Sequence, residues 1–127
     1  MFHYHKNGAI MIQQEQVNLL IGKKIEMVCF AIYHFSIHLE EGMLLAVECG
    51  HEFGMQGLDA LQRTHFPLAE THLPRIIDTV VASAEIENEG NLRLRFSNGN
   101  YLLLVLDEEF ESYRLVVDGN EFFAGPK

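Results

Sequence analysis

The alternation of apolar and polar residues is clearest between Leu92 and Leu106, where the sequence reads LRLRFSNGNYLLLVL. Apolar and polar residues alternate up to Phe96, the period of a half-buried strand, and a second β-prone run begins at Tyr101. Asn98-Gly99 lies between them, and Asn-Gly best accepts the positive φ angles of a two-residue type I′ turn. The pattern predicts a hairpin with three facing pairs: Phe96 with Tyr101, Leu94 with Leu103, and Leu92 with Val105.

The same pattern occurs earlier in the chain. The stretch from Phe35 overlays the stretch from Leu92 without a gap, Gly42 overlays Gly99, and the match continues to Glu52-Phe53 over Glu109-Phe110. In the corresponding register, three polar residues of the first hairpin face apolar ones: His38 with Leu45, Ser36 with Val47, and His34 with Cys49. Self-similarity at a fixed offset indicates an internal duplication.

The remaining pattern predicts one domain over residues 1–127. Short helices are expected at Gln13 to Ile21 and at Leu73 to Ile77, each leading a set of about three antiparallel strands. Half-repeats then span about 13–53 and 73–110, a connector spans 54–72, and a C-terminal hairpin spans 113–124 across Asp118-Gly119. From Gly50 to His72 only Leu58 to Arg63 suggests structure, a helical turn. The predicted fold class is α+β and β-dominated, with helices packed on a sheet face.

Charge and composition restrict the function. The chain has 127 residues, is 48% hydrophobic and carries a formal charge of −9. It should therefore repel nucleic acid and anionic membranes and attract a basic protein. No signal peptide or membrane span is recognisable, so the cytoplasm is expected. The two cysteines, Cys29 and Cys49, lie in apolar runs and are expected to be buried free thiols.

Catalytic and metal-binding motifs are missing from the sequence. His34, Ser36 and His38 share one strand face, and a Cys49/His34 pair could begin a zinc site, but further ligands at zinc spacing are lacking. Glu85, Glu87 and Glu89 alternate along a strand into a turn, as on a solvated face. We therefore expect no enzyme activity, no catalytic residues, no metal and no cofactor.

The acidic stretch after Leu106 favours protein binding. It contains Asp107, Glu108, Glu109, Glu111 and, at its end, the aromatic Tyr113. Charge steers association, and aromatic side chains are frequent energetic anchors of interfaces. We take these five residues as the candidate partner-binding site. In the alternative interpretation, the aromatics pack in the core and the acids only solubilise the rim of the sheet.

The chain also resembles a set of small, mostly uncharacterised bacterial proteins. The resemblance depends on Leu20-Ile21-Gly22-Lys23 leading into Cys29-Phe30, the turn at Glu41-Gly42, Leu94-x-Phe96-Ser97-Asn98-Gly99, Asp107, and Glu111-Ser112-Tyr113. Some of these proteins resemble immunity proteins of contact-dependent growth inhibition and related toxin systems. The resemblance implies that the chain binds and neutralises a cognate toxin domain. A nuclease-type toxin is expected, because its basic surface would attract an acidic protein. The alternative is a non-catalytic structural module that self-associates through sheet edges or an exposed strand face, so a homo-oligomer is also open.

Overall fold

A computed structural model describes residues 4–5, 9–55, 61–64, 71–87, 89–107 and 112–125. Of residues 4–5, 9–10 and 61–64 only the backbone is described. None of the helices in these ranges has the length and apolar character needed to cross a membrane.

Short strands dominate the fold, as the sequence predicts, and the class is α+β. The strands are β1 Tyr4–His5, β2 Ala9–Met11, β3 Ile25–Phe30, β4 Phe35–Leu39, β5 Leu44–Val47, β6 His51–Gly54, β7 Leu61–Thr64, β8 Val81–Ile86, β9 Leu92–Phe96, β10 Tyr101–Leu104, β11 Tyr113–Val117 and β12 Asn120–Ala124. The helix α1 spans Gln14–Val17, and 3-10 turns span Asn18–Leu20, Glu40–Gly42 and Leu73–Ile76.

These strands form two sheets. The first has the order β1-β2-β12-β11-β5-β4-β3, and the second has the order β7-β6-β10-β9-β8. Neighbouring strands are antiparallel, apart from the parallel pair β2/β12. The buried apolar faces of the two sheets share one core, which includes Phe35, Leu45, Leu94 and Leu102.

The two halves repeat in three dimensions. The set β3-β4-β5 corresponds to β8-β9-β10, and each set has a register shift after its first residue, Ile25 or Val81. The halves meet at the antiparallel bridge between Lys24 and Val80. Around this bridge the Gly22 N–H donates to the Val81 carbonyl at 2.8 Å, and the Val81 N–H donates to the Lys23 carbonyl at 3.0 Å. A pseudo-twofold axis therefore passes close to Lys24 and Val80.

Each half contributes its next strand to the other half's sheet. Strand β6 pairs with β10, whereas β11 pairs with β5. The exchange is symmetric, because Leu102 faces Phe53 in one sheet and Leu45 faces Leu115 in the other. Phe53 therefore corresponds to Leu115, and the gapless match of Phe53 to Phe110 is wrong at this point. Phe110 itself lies outside the described residues.

The predicted register of both repeated hairpins is wrong by one residue. Leu94 faces Leu102, and Ile37 faces Leu45. The turn around Asn98-Gly99 has three residues, because the Phe96 N–H donates to the Asn100 carbonyl at 2.9 Å. Gly99 has φ +86°, as a three-residue turn with a left-handed last residue requires. One residue more in the loop places the inward apolar side chains opposite each other.

The C-terminal turn has the predicted two residues. Asp118 and Gly119 have φ +51° and +79°, and Val117 faces Asn120 across them. Both predicted helices are also present, at Gln14–Val17 with the following 3-10 turn and at Leu73–Ile76. Asp118-Gly119 thus forms the type I′ geometry that the turn pair favours.

The region from Gly50 to His72 is more regular than expected. It contains β6 and β7, which pair with each other so that His51 faces Thr64. The helical turn predicted from Leu58 to Arg63 is wrong for Leu61–Thr64, which is a strand, and residues 56–60 lie outside the described residues. The glycines and the proline in this region interrupt the strand pattern in the sequence, so the two short strands β6 and β7 were not predicted. Strand β6 pairs with β7 and with β10.

Candidate functional site

The acidic segment lies between β10, which ends at Leu104, and β11, which begins at Tyr113. Asp107 is exposed to solvent. Glu108, Glu109 and Glu111 lie outside the described residues. The two strands on either side belong to different sheets, since β10 is in the second and β11 in the first. The segment therefore joins the two sheets at one end of the exchange.

Ser112 holds the two ends of the segment together. The backbone N–H of Asp107 donates to Ser112 Oγ at 2.7 Å. The Ser112 N–H donates to the Ala124 carbonyl, and its own carbonyl accepts from the Glu48 N–H, both at 2.8 Å. Ser112 is completely buried. These bonds join the two ends of the segment in a short neck.

Tyr113 lies in the core and not on the surface. Its side chain is 1% exposed, and its hydroxyl donates to the Gly90 carbonyl at 2.9 Å. Burial raises the pKa of Tyr113 well above its usual range. The prediction that Tyr113 contacts a partner at the surface is wrong for this conformation. The alternative interpretation, in which this aromatic packs in the core, is correct for Tyr113.

Tyr113 has a counterpart in the other half. It faces Val47 of β5, and His51 faces Leu104 of β10 at the corresponding place. His51 is also 1% exposed and packs edge-on against Phe35, with the ring centroids 4.9 Å apart. Each exchanged strand thus begins with a buried aromatic residue that carries a polar group.

An apolar cavity lies at the base of the acidic segment. It is half open to the surface and has a volume of about 140 Å³. Leu106 and Tyr113, which flank the segment, both line it. The other lining residues are Met11, Ile12, Ile86, Gly90, Ala124 and Gly125. Apolar cavities of about this size bind benzene-sized groups in other proteins, so a leucine or phenylalanine side chain would fit.

The charge around the neck is negative. Burial raises the pKa of the Cys49 thiol to about 12, and the nearby carboxylates of Asp107 and Glu48 oppose the thiolate further. Glu48 is exposed, and its N–H bonds to the neck at Ser112. Two carboxylates, those of Glu48 and Asp107, therefore lie close to the neck.

The histidine and glutamate candidates do not converge on a site. His34 is exposed and Cys49 is buried, and the observed register does not place them opposite each other. His38 Nε2 instead contacts Ser36 Oγ at 3.1 Å. Within the described ranges, no group of three or more His, Cys, Asp or Glu side chains is arranged to hold a metal ion.

Of the three glutamates that alternate into the turn, Glu85 and Glu89 are exposed. Glu87 Oε2 accepts a hydrogen bond from Arg93 Nε at 3.1 Å. Glu87 thus forms an ion pair at the edge of the sheet, so these residues act as a polar rim.

Sequence reasoning missed the neck serine and the cavity. Ser112 is one hydroxyl in a strongly acidic stretch, and its burial follows from the strand exchange, which no local pattern signals. The cavity lies between β2, the end of β12 and the Gly90 turn. Its walls come from distant parts of the chain, so no short motif could have indicated it.

The fold and the site define a small, acidic, β-rich protein in which the residues that flank an acidic segment, Leu106 and Tyr113, line an apolar cavity. Residues 16–126 match the model of a family of unknown function, DUF6188. Because this match covers most of the chain, the protein belongs to that family. No match was found among the curated proteins or among the solved structures.

Proposed function

We propose that this protein is an immunity protein that binds and neutralises a basic toxin domain through its acidic segment and the cavity beneath it. One observation carries the proposal: a strongly acidic segment is closed at its neck by Ser112 and stands beside an open apolar cavity. The resemblance to bacterial immunity proteins supports the biological role.

Charge supplies the first step of binding. The formal charge of −9 and the cluster from Asp107 to Glu111 would attract a basic surface and raise the rate of encounter. A nuclease toxin presents such a surface to its substrate. Covering that surface would block the toxin without any catalysis by this chain.

The cavity supplies the second step. Interfaces obtain most of their energy from a few apolar or aromatic side chains inserted into pockets, surrounded by a polar rim. Here the cavity lies at the foot of the acidic segment, and Leu106 and Tyr113 form part of its wall. A basic partner with one protruding leucine or phenylalanine would match both features.

The rate of association tests the electrostatic step. Glu109→Lys combined with Glu111→Lys should slow association with the cognate toxin domain about tenfold and flatten its dependence on salt. Stopped-flow or surface plasmon resonance measurements over a range of salt concentrations provide the readout. The matched control combines Glu26→Lys with Glu41→Lys, which changes the net charge equally at two exposed positions outside the neck and the cavity lining.

Two outcomes would exclude the acidic segment from the interface. One is unchanged association kinetics in the double variant. The other is equal slowing in the double variant and the control, which would show that only net charge matters.

A further inference from the structure

Strand β3 is the edge of the first sheet, and β8 is the corresponding edge of the second. The two edges pair with each other only around Lys24 and Val80 and diverge after the bulges that follow Ile25 and Val81. Beyond that point each edge presents backbone N–H and C=O groups away from its own sheet. Such edges pair readily with other strands unless they are covered.

The β8 edge is covered by a side chain. The Gln14 amide Nε2 donates to the Ala84 carbonyl at 2.9 Å, and Gln14 Oε1 accepts from the Ile86 N–H at 2.8 Å. One amide thus satisfies two edge groups, as the N–H and C=O of one residue on a neighbouring parallel strand would. This shows which residues of β8 point outwards.

By the internal symmetry, Val28 and Phe30 occupy the places of Ala84 and Ile86 on β3. The β3-β4 turn agrees, because Ala31 N–H donates to the His34 carbonyl at 2.8 Å and closes the hairpin. Alternation from that pair leaves Val28 and Phe30 with their N–H and C=O groups directed away from β4. Among the described residues, none bonds to these outward groups.

Apolar side chains surround the β3 edge. Met27 is 45% exposed, Phe30 is 43% exposed, and Ile32 and Tyr33 in the adjoining turn are both 67% exposed. The stretch from Met27 to Ile32 reads MVCFAI and carries no charge. No acidic side chain therefore lies within this stretch of the edge.

We infer that the β3 edge pairs antiparallel with the β3 edge of a second copy of this chain. In the register that best uses the edge, Val28 faces Phe30 of the second copy, and the reverse pair follows from the twofold axis. Both outward residues then exchange N–H···O=C bonds, and Cys29 faces Cys29 of the second copy at a non-hydrogen-bonded position.

This register pairs the apolar residues of the uncharged stretch from Met27 to Ile32 with one another. Met27 then faces Ala31, so apolar residues meet apolar residues along the pair. Shifting the register by one pairing step towards the N-terminus would place Glu26 against Phe30, and the opposite shift would require the turn residue Ile32 to join the strand. The β3 edge is therefore self-complementary in one register.

The position of Cys29 allows a test of the register in which the two β3 strands pair. Cys29 is a free thiol on the half-buried outer face of the sheet, whereas Cys49 is buried. In the inferred register the two Cys29 Cα atoms lie at a distance that a disulfide spans. Mild oxidation with copper phenanthroline should trap a dimer, and its peptide map should contain a Cys29–Cys29 link.

Sedimentation velocity over a wide range of concentrations measures the association itself. The wild-type chain should show a monomer–dimer equilibrium that high salt does not weaken, because screening reduces the repulsion between acidic copies. Met27→Lys should raise the dissociation constant about tenfold or more, since a lysine on the edge opposes strand pairing.

Ser83→Lys is the matched control. Ser83 occupies the place of Met27 on the covered β8 edge and is exposed, so the same charge there should leave the dimer intact. Val28→Pro is a second variant that removes an outward N–H without breaking a bond to β4, and it should abolish the dimer while the monomer still folds.

Three results would overturn the inference: a monomer at every concentration, equal effects of Met27→Lys and Ser83→Lys, or an oxidised dimer without the Cys29–Cys29 link. None of them bears on the acidic segment. Binding of the toxin domain would weaken with salt, whereas the β3 dimer would not.

Discussion

Gly22 and Asp78 occupy the same place in the two halves of the molecule. Each follows a short helical turn and has a left-handed backbone, with φ +86° at Gly22 and +72° at Asp78. Each also donates its N–H to the first strand of the other half, Gly22 to Val81 at 2.8 Å and Asp78 to Ile25 at 2.9 Å. The two halves are therefore joined by reciprocal backbone bonds that depend on a left-handed residue.

Replacing Gly22 should destabilise this junction. A Cβ at Gly22 would meet nothing within 4 Å, so the cost is conformational alone. Gly22→Ala should lower the free energy of unfolding by about 1 to 2 kcal/mol, the usual penalty of the left-handed region. Urea unfolding measures the change, and Gly22→Asn should cost clearly less, because asparagine tolerates this conformation. Equal costs for both variants would contradict the explanation.

Gln14 should protect the β8 edge. Gln14→Ala should reduce the unfolding free energy by about 1 to 2 kcal/mol, because two hydrogen bonds to the edge are lost. Amide hydrogen exchange measured by NMR should show faster exchange at Ile86, whose N–H loses its acceptor. Glu15→Ala, on the neighbouring exposed residue, is the control. Unchanged protection of Ile86 in Gln14→Ala would show that the edge does not depend on this side chain.

Ser112 should be needed for the neck of the acidic segment. Ser112→Ala removes the acceptor of the Asp107 N–H and should cost about 1 to 3 kcal/mol of stability. It should also weaken toxin binding by more than Ser83→Ala does at an exposed strand position. Calorimetric unfolding and equilibrium titration supply the two measurements. Full stability in Ser112→Ala would mean that the neck is held by its backbone bonds alone.

Stability should fall in alkaline solution. The pKa of Cys49 rises from 9.0 to about 12 on folding, and that of Tyr113 rises above 10.0, in both cases mainly because of burial. The unfolded chain therefore releases these protons at a lower pH than the folded chain. The stabilisation is complete below about pH 9 and is lost between about pH 9 and about pH 12, at up to about 1.4 kcal/mol per pH unit for each group.

Urea unfolding at a series of pH values tests this loss. Cys49→Ala should reduce the slope above pH 9, and Tyr113→Phe should reduce it above pH 10. A wild-type stability that stays constant through this window would contradict the burial of both groups. Each variant removes one titrating group, so the contributions of Cys49 and Tyr113 to the loss of stability are tested independently.

Most of the secondary structure could be predicted from local patterns. Alternation in β9 and β4, and the turn pair Asp118-Gly119, are local signals, and each element they predict is present. The register of the repeated hairpins was harder to predict from the sequence. Asn98-Gly99 suits a two-residue turn, but a glycine with positive φ also ends a three-residue turn, so one residue pair is compatible with two registers.

The exchange of strands between the halves could not be predicted. Whether β6 pairs with β5 or with β10 depends on tertiary packing and not on a local pattern. The candidate site could not be predicted in full for the same reason. The acidic residues are visible in the sequence, but the burial of Ser112 and Tyr113 and the cavity between β2, β12 and the Gly90 turn exist only once the strands have exchanged.

The central claim is that a basic partner binds at the acidic segment and the cavity together. Capture of the toxin domain by the tagged chain at low salt, followed by elution in a salt gradient, should be compared among the wild type, Glu109→Lys with Glu111→Lys, and Ala124→Leu. Ala124 lines the cavity, so leucine should fill it, leave the thermal stability unchanged or raised, and weaken binding by about 2 kcal/mol. The account predicts a stoichiometric basic partner that elutes earlier from both variants than from the wild type. A partner that both variants retain as tightly as the wild type, or a wild-type chain that captures no basic partner from cells producing the toxin, would contradict it.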